Sequence, residues 1–212
     1  MASNAKSFSK KEAIKFGWNT TLKNFWLFLG ITGVVYGVQF LPNLFSGYME
    51  EQELLFGMVN LVLSIASLGL TLGSLKIYLD FVDRKKPQFS DLFSLYNAKM
   101  MWRLFAASFI YGIVVLLGLL LLIIPGIYFA IKYGLYCYFI VDKNSGVFES
   151  ISQSGKITRG HVWNLLAFGL LLFLIAVAGF LALGVGLLVA LPAISLAEAF
   201  VYRKLSGASK TK

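Results

Sequence analysis

Charge, histidine and cysteine are what this 212-residue sequence has least of. One cysteine, Cys137, and one histidine, His161, exclude an internal disulfide and a Cys- or His-rich metal site. Cys137 lies in an apolar stretch and reads as a small buried side chain. His161 stands near Trp163 at the start of a hydrophobic run, where interfacial packing is expected. Charged residues make up 14% of the chain, and ten acidic against 19 basic residues leave a formal charge of +9. No carboxylate pair beside a nucleophile, metal-spaced cluster or phosphate-cradling glycine loop is found, so no catalytic residue and no cofactor are assigned, and the chain is not expected to be an enzyme. Nor do the cations form a basic domain interleaved with base-stacking aromatics, so nucleic acid is not an expected partner.

Hydrophobic residues, 58% of the total, run in long blocks between short charged patches. A helix needs about 20 mostly apolar residues to cross a hydrocarbon core of roughly 30 Å. The pattern predicts an all-α polytopic membrane bundle of six transmembrane helices in three hairpins. The runs are Phe25 to Phe45, Leu54 to Tyr78, Leu104 to Ile124, a fourth ending near Val141, Val162 to Leu181, and a sixth ending near Tyr202. Pro125 and Gly126 predict a tight hairpin turn between spans three and four, since proline presets φ and glycine tolerates positive φ. Gly184 and Gly186 mark the next turn. Ser9 to Asn24 predicts an amphipathic interfacial helix, with Ser9 and Glu12 at capping-box spacing and Ile14, Trp18, Leu22 and Phe25 on one face. Asp91 to Met101 reads as a second short amphipathic segment, and Asp142 to Gly160 as a partly helical connection. No short apolar segment with a cleavage site precedes the first run, which reads as retained.

With Lys76 counted at the end of the second run, 18 of the 19 Lys and Arg flank one side, including a C-terminal group of Arg203, Lys204, Lys210 and Lys212. The opposite connections contain none, and Ser46 to Glu53 there holds Glu50, Glu51 and Glu53. The positive-inside rule then predicts a plasma (inner) membrane protein with both termini and the two long connections cytoplasmic. Trp18, Trp26, Trp102 and Trp163 fall at that same interface, which suits their amphipathic rings. Glu12 to Trp26 aligns without gaps on Glu149 to Trp163, matching Glu12 with Glu149, Ile14 with Ile151, Thr21 with Thr158 and Trp26 with Trp163. The expected organisation is one membrane domain, 1–205, built as a three-fold repeat (9–80, 88–142, 147–204), with a basic tail at 206–212.

Two sets of residues are candidates for function. Asn60, Ser64, Ser67, Thr71 and Ser74 recur at spacings of four and three and share one helix face, a tight packing surface or the wall of a polar path. Gly69 and Gly73 on another face add a GxxxG pair, which predicts a central place for this helix. Lys132 is the one basic and Glu198 the one acidic residue well inside a predicted span. A charge at the bilayer centre costs at least about 2.5 to 3.5 kcal/mol on insertion scales, so each is expected to face the interior and to find water, a partner or an interface.

From Gly73 onward the sequence resembles bacterial membrane proteins related to the membrane domain of glycerophosphoryl diester phosphodiesterases. The residues that carry this are Lys86 to Phe93 (KPQFSDLF), Ile124 to Tyr133 (IPGIYFAIKY), Asp142, and Ser154 to Trp163 (SGKITRGHVW). The resemblance implies a multi-helix fold in a bacterial inner membrane. It does not imply the phosphodiesterase reaction, which in that family belongs to a separate catalytic barrel. The expected function is therefore a non-enzymatic one, binding membrane lipids, anionic at the cytoplasmic face, or a membrane or cytoplasmic partner protein. The competing expectation is a small transporter or transporter subunit with a polar path beside the second transmembrane helix.

Overall fold

A computed structural model of the protein describes residues 8–45, 53–182 and 184–207. Those residues form nine α-helices and one 3-10 turn, with no strand among them. The helices are α1 (Lys10–Lys23), α2 (Phe25–Phe45), α3 (Glu53–Val82), α4 (Ala98–Leu121), α5 (Ile123–Tyr133), α6 (Tyr136–Lys143), α7 (Val147–Ile157), α8 (Val162–Leu181) and α9 (Leu187–Ser206); the 3-10 turn is Phe89–Phe93. Of the predicted acidic connection at 46–53 and the predicted tail at 206–212, residues 46–52 and 208–212 lie outside the described residues.

Local chemistry sets the helix ends. Ser9 caps α1 by accepting from the Glu12 N–H at 3.3 Å, which is one half of the predicted capping box. Asn24 closes α1 with its side-chain amide on the Thr20 carbonyl, and the chain turns by 95° into α2. Asn97 caps α4 through the Lys99 N–H. Asn144 ends α6 at φ 51°, a left-handed position asparagine tolerates, and Arg103 of α4 reaches both its carbonyl and its side-chain oxygen at 2.6 Å.

Four helical stretches are long and apolar enough to cross a membrane: Leu54–Val82, Ala98–Leu121, Ile123–Lys143 across the α5–α6 break, and Val162–Leu181. The bent pair of α1 and α2 makes a fifth candidate. Their apolar surface remains largely open, as at Leu54, Leu61, Leu120, Ile124, Phe180 and Leu181, all more than 60% exposed. An apolar surface this extensive is what a bilayer covers.

The expected central place holds for the second half of α3 only, which packs against α2, α4, α6, α9 and the 3-10 turn. The first half of α3, from Leu54 to Ile65, is mostly exposed, and only Gly69 to Leu79 is largely buried. This second half shares the centre with α9, which packs against α1, α2, α3 and α8 and buries ten of its 20 residues. Small side chains decide this: Ala190, Ala193, Ala197 and Ala199 of α9 are all buried and admit close neighbours. The main core joins α2 (Phe28, Ile31), α3 (Leu70, Ile77, Leu79), α6 (Tyr138, Phe139) and α9 (Leu196, Tyr202).

The predicted turn also moves. Leu122, extended at φ −162°, is the break between α4 and α5, and Pro125 and Gly126 fall inside the first turn of α5. Proline is tolerated there because its missing N–H would have no partner in a first turn. Gly126 instead lets the two helices touch: a Cβ on it would strike Leu119, and one on Gly118 would strike Gly126.

A cyclic pattern organises the polar segments. The 3-10 turn lies on α3, α7 lies on α5 and α6, and α1 lies on α9. Within the repeat expected from sequence, each segment thus clamps the second membrane helix of the preceding unit, the first unit clamping the third. Backbone sits against backbone or ring at each clamp. A Cβ on Gly73 would run into the Leu92 carbonyl, one on Gly69 into the Tyr96 ring, one on Gly17 into the Ala193 carbonyl, and one on Gly155 into the Tyr133 ring. The GxxxG pair of α3 is therefore a seat for the 3-10 turn and Tyr96. The segment expected as a helix at 91–101 is that turn followed by the start of α4.

Candidate functional site

Three helix ends meet at the basic end of the bundle. Arg203 of α9 donates to Asp83, just past α3, at 2.7 Å and pairs with Asp142 of α6 at 2.6 Å. The neighbouring Tyr202 donates to the other Asp142 oxygen at 2.8 Å. Arg203, counted from sequence in the C-terminal basic group, is buried and belongs to the core of this end. The planar fork of arginine suits two carboxylates at once, as a lysine would not. At the rim, Lys85 pairs with Asp80 at 2.7 Å, and that hydrogen bond holds the Lys85 ammonium above its ordinary pKa. Sequence reasoning missed this knot, yet a signal existed: Phe81 to Arg84 (FVDR), Ile140 to Lys143 (IVDK) and Phe200 to Arg203 (FVYR) end the three clamped helices alike.

The repeat matches register for register at two clamps. Ala13, Gly17 and Thr21 are the buried residues of α1, and the positions aligned with them, Ser150, Ser154 and Thr158, are fully buried on α7. Hydroxyls do specific work at the second clamp. Gly134 and Leu135 interrupt helical pairing between α5 and α6, and the loose backbone groups there are taken up by α7: Ser154 accepts from the Leu135 N–H at 3.1 Å, while Thr158 and Ser154 donate to the Lys132 carbonyl at 2.8 and 3.2 Å. Thr21, the counterpart of Thr158, is buried with no partner for its hydroxyl. Three stretches form these contact surfaces: KPQFSDLF on α3, and IPGIYFAIKY against SGKITRGHVW.

Above the knot, α9 is flanked by two cavities. One of about 200 Å³ lies between α2, α3 and α9, with Thr32, Tyr36, Gln39, Thr71, Ser74 and Ser195 among its polar walls. The other, about 280 Å³ and open on one side, lies between α4, α5, α8 and α9, with Glu198 as its one carboxylate. Tyr138 stands between them, its hydroxyl 3.4 Å from the Ser195 carbonyl and 3.5 Å from Glu198 Oε2.

Each predicted residue can now be placed. On α3, Asn60, Ser67, Thr71 and Ser74 hydrogen-bond carbonyls one turn back on their own helix, at 2.8 to 2.9 Å. Ser64 is exposed, Asn60, Ser67 and Thr71 are half-buried, and Ser74 is buried. Only Thr71 and Ser74 of this face line the α2–α3–α9 cavity. Lys132 and Glu198 do not pair. Lys132 Nζ lies 5.4 and 5.3 Å from the centres of the Tyr128 and Tyr133 rings, a cation–π arrangement, while the polar contact of Glu198 is Tyr138. The physical reason is placement: Lys132 ends α5 under α7, and Glu198 faces the opposite helices across the cleft. Among the described residues no group of three His, Cys, Asp or Glu could hold a metal ion. Cys137 packs against two of the apolar clusters as expected of a small core side chain.

No protein-family model matches this chain, and neither curated proteins nor solved structures give a match. The functional reading therefore rests on the residues themselves.

Proposed function

We propose that the chain is a non-enzymatic, six-span protein of a bacterial inner membrane that binds anionic lipid at its cytoplasmic face, with α1, the 3-10 turn and α7 on that side. The spans beyond the five candidates above are completed by α9, whose Glu198 meets Tyr138 and whose Arg203 meets two carboxylates. Kinship with the phosphodiesterase-related membrane domains is part of this reading, supported by the clamp contacts made by the shared stretches.

One observation carries the lipid assignment. Trp18, Trp26, Trp102 and Trp163 are all exposed, and the last three open α2, α4 and α8 beside Lys23, Lys99 and Arg159. Exposed indoles next to cations at helix starts suit the headgroup layer, where each nearby Lys or Arg contributes about 1 kcal/mol toward anionic lipid. The test is native mass spectrometry of protein released from mixed phosphatidylglycerol and phosphatidylcholine vesicles. Phosphatidylglycerol should be retained preferentially, and glutamine at Lys10, Lys11, Lys15 and Lys23 should reduce that preference. Equal retention of both lipids would count against the assignment. Orientation is checked in a Cys137→Ser background, where a cysteine at Glu51 should react only from outside the cell.

A transport reading is favoured by the two cavities that flank α9, with the Tyr138 hydroxyl touching Ser195 in the wall of one and Glu198 in the wall of the other. Solute flux into proteoliposomes that is lost on Glu198→Gln would support it.

A further inference from the structure

We propose that the cleft at Glu198 binds an amphiphile carrying a protonated amine, with the ammonium on the Glu198 carboxylate and the apolar body along α5 and α8. This inference rests on the bilayer setting proposed above but not on the anionic-lipid assignment, which concerns a different surface.

The cleft's composition selects the ligand. Apart from Glu198 and Tyr111, its walls are apolar or small, with Leu165, Phe168 and Leu172 on α8 and Ala130 and Gly134 on the α5 side. Tyr111 has spent its hydroxyl proton on the Ala130 carbonyl at 3.0 Å, so it offers the cleft no free donor proton. The aromatic side chains of Tyr111 and Phe168 in the lining suit a cation better than an anion. Glu198 is thus a carboxylate whose one protein donor is the long, 3.5 Å contact from Tyr138.

Among the described residues no cation answers it. Lys132 is held between the Tyr128 and Tyr133 rings, and Arg203, little more than a turn further along α9, is committed to Asp83 and Asp142. A carboxylate left alone in a low-dielectric wall is costly, and a cation brought by a ligand relieves that cost. The volume fits a polar group and the first part of a chain: 280 Å³ holds about nine groups at water's share of roughly 30 Å³ each. The cleft is not enclosed, so a longer chain can continue out of it. Space is also kept where packing does not demand it, since a Cβ on Gly169 would meet nothing within 4 Å.

The experiment uses full-length protein in phosphatidylcholine nanodiscs, titrated with dodecylamine and with dodecanol, and reads apparent affinity by native mass spectrometry. Dodecylamine should bind at least about tenfold tighter than dodecanol, the preference expected of one charge-assisted contact. Glu198→Gln should abolish that preference, Gly169→Leu should weaken both ligands by filling the cleft, and Lys132→Met should change neither. A parallel arm compares retention of phosphatidylethanolamine with that of phosphatidylcholine. Preference for the former identifies the source as a lipid headgroup, and preference confined to dodecylamine identifies a free amine. Equal binding of amine and alcohol, or an amine preference that survives Glu198→Gln, overturns the proposal. Should Glu198→Gln fold poorly, unaltered amine binding by Gly169→Leu overturns it equally. Phosphatidylglycerol retention is scored separately, so failure of the cytoplasmic-lipid reading remains distinguishable.

Discussion

The two ends of this bundle are built on different principles. At the basic end, Arg203 joins two carboxylates, α7 hydroxyls take up the carbonyl of Lys132, and the 3-10 turn sits on bare glycine backbone. At the other end α3, the α4–α5 tip and α8 present leucine, isoleucine and phenylalanine outward, and added Cβ atoms at Gly37 and Gly57 would meet nothing within 4 Å. Polar contacts are directional and costly when broken in a dry interior, so one end specifies a single arrangement. Apolar contact with lipid is interchangeable, so the other end needs only to be greasy and helical.

Breaking the charge knot should have the largest effect. Arg203→Met strands Asp83 and Asp142, and loss of one partner from a buried ion pair costs about 3 to 5 kcal/mol. A large drop in Tm in detergent is expected, with much of it recovered when Asp83→Asn and Asp142→Asn are added. Recovery is the sharper half of this test, because a lost packing contact alone would not be restored by neutralising its neighbours.

Overfilling the clamps comes next. Gly73→Leu and Gly17→Leu should each displace a packed segment, with overpacking costs of about 1 to 3 kcal/mol. At Gly37 and Gly57 the same contrast runs the other way: alanine there should be neutral or raise Tm, since glycine in a helix interior costs about 1 kcal/mol relative to alanine. If all four substitutions lowered Tm alike, the distinction between the two ends would fail.

A smaller effect separates the two aligned threonines. Thr158→Val removes the bond to the Lys132 carbonyl and should cost about 1 kcal/mol, whereas Thr21→Val removes a buried hydroxyl without a partner and should be neutral or stabilising. The smallest effects are expected on the polar face of α3, where Ser64→Ala and Ser67→Ala should shift Tm by little, since Ser64 is exposed and Ser67 bonds its own helix. Between Lys132→Met and Glu198→Gln, effects on Tm should add, because the two side chains keep different partners.

How much was legible from residues alone varies by feature. The helical character, the start of α1 at Ser9, the turn at Gly184 with φ 75° and the exposure of all four tryptophans follow from local signals: hydrophobic runs, caps, and the amphipathic indole. The register of the Glu12 and Glu149 repeats was readable too, and buried positions 13, 17 and 21 fall on their counterparts. The candidate site was less accessible. Glu198 was singled out, but Tyr138 and Ser195, its neighbours, lie on a different helix and a turn away respectively, and neither carries a signal of its own.

The sequence by itself determined the helical character and the approximate location of the apolar stretches, because hydrophobicity over about twenty residues is a property of neighbouring residues. Tertiary structure alone decided that α9 shares the centre with the second half of α3, that Pro125 lies in the first turn of a helix and does not make a turn, that Arg203 is buried, and that Lys132 and Glu198 stay apart. Those outcomes depend on which surfaces approach most closely, and in a helix bundle close approach is set by small residues on two helices at once. One strand of text shows each surface, but the match between them exists only in space.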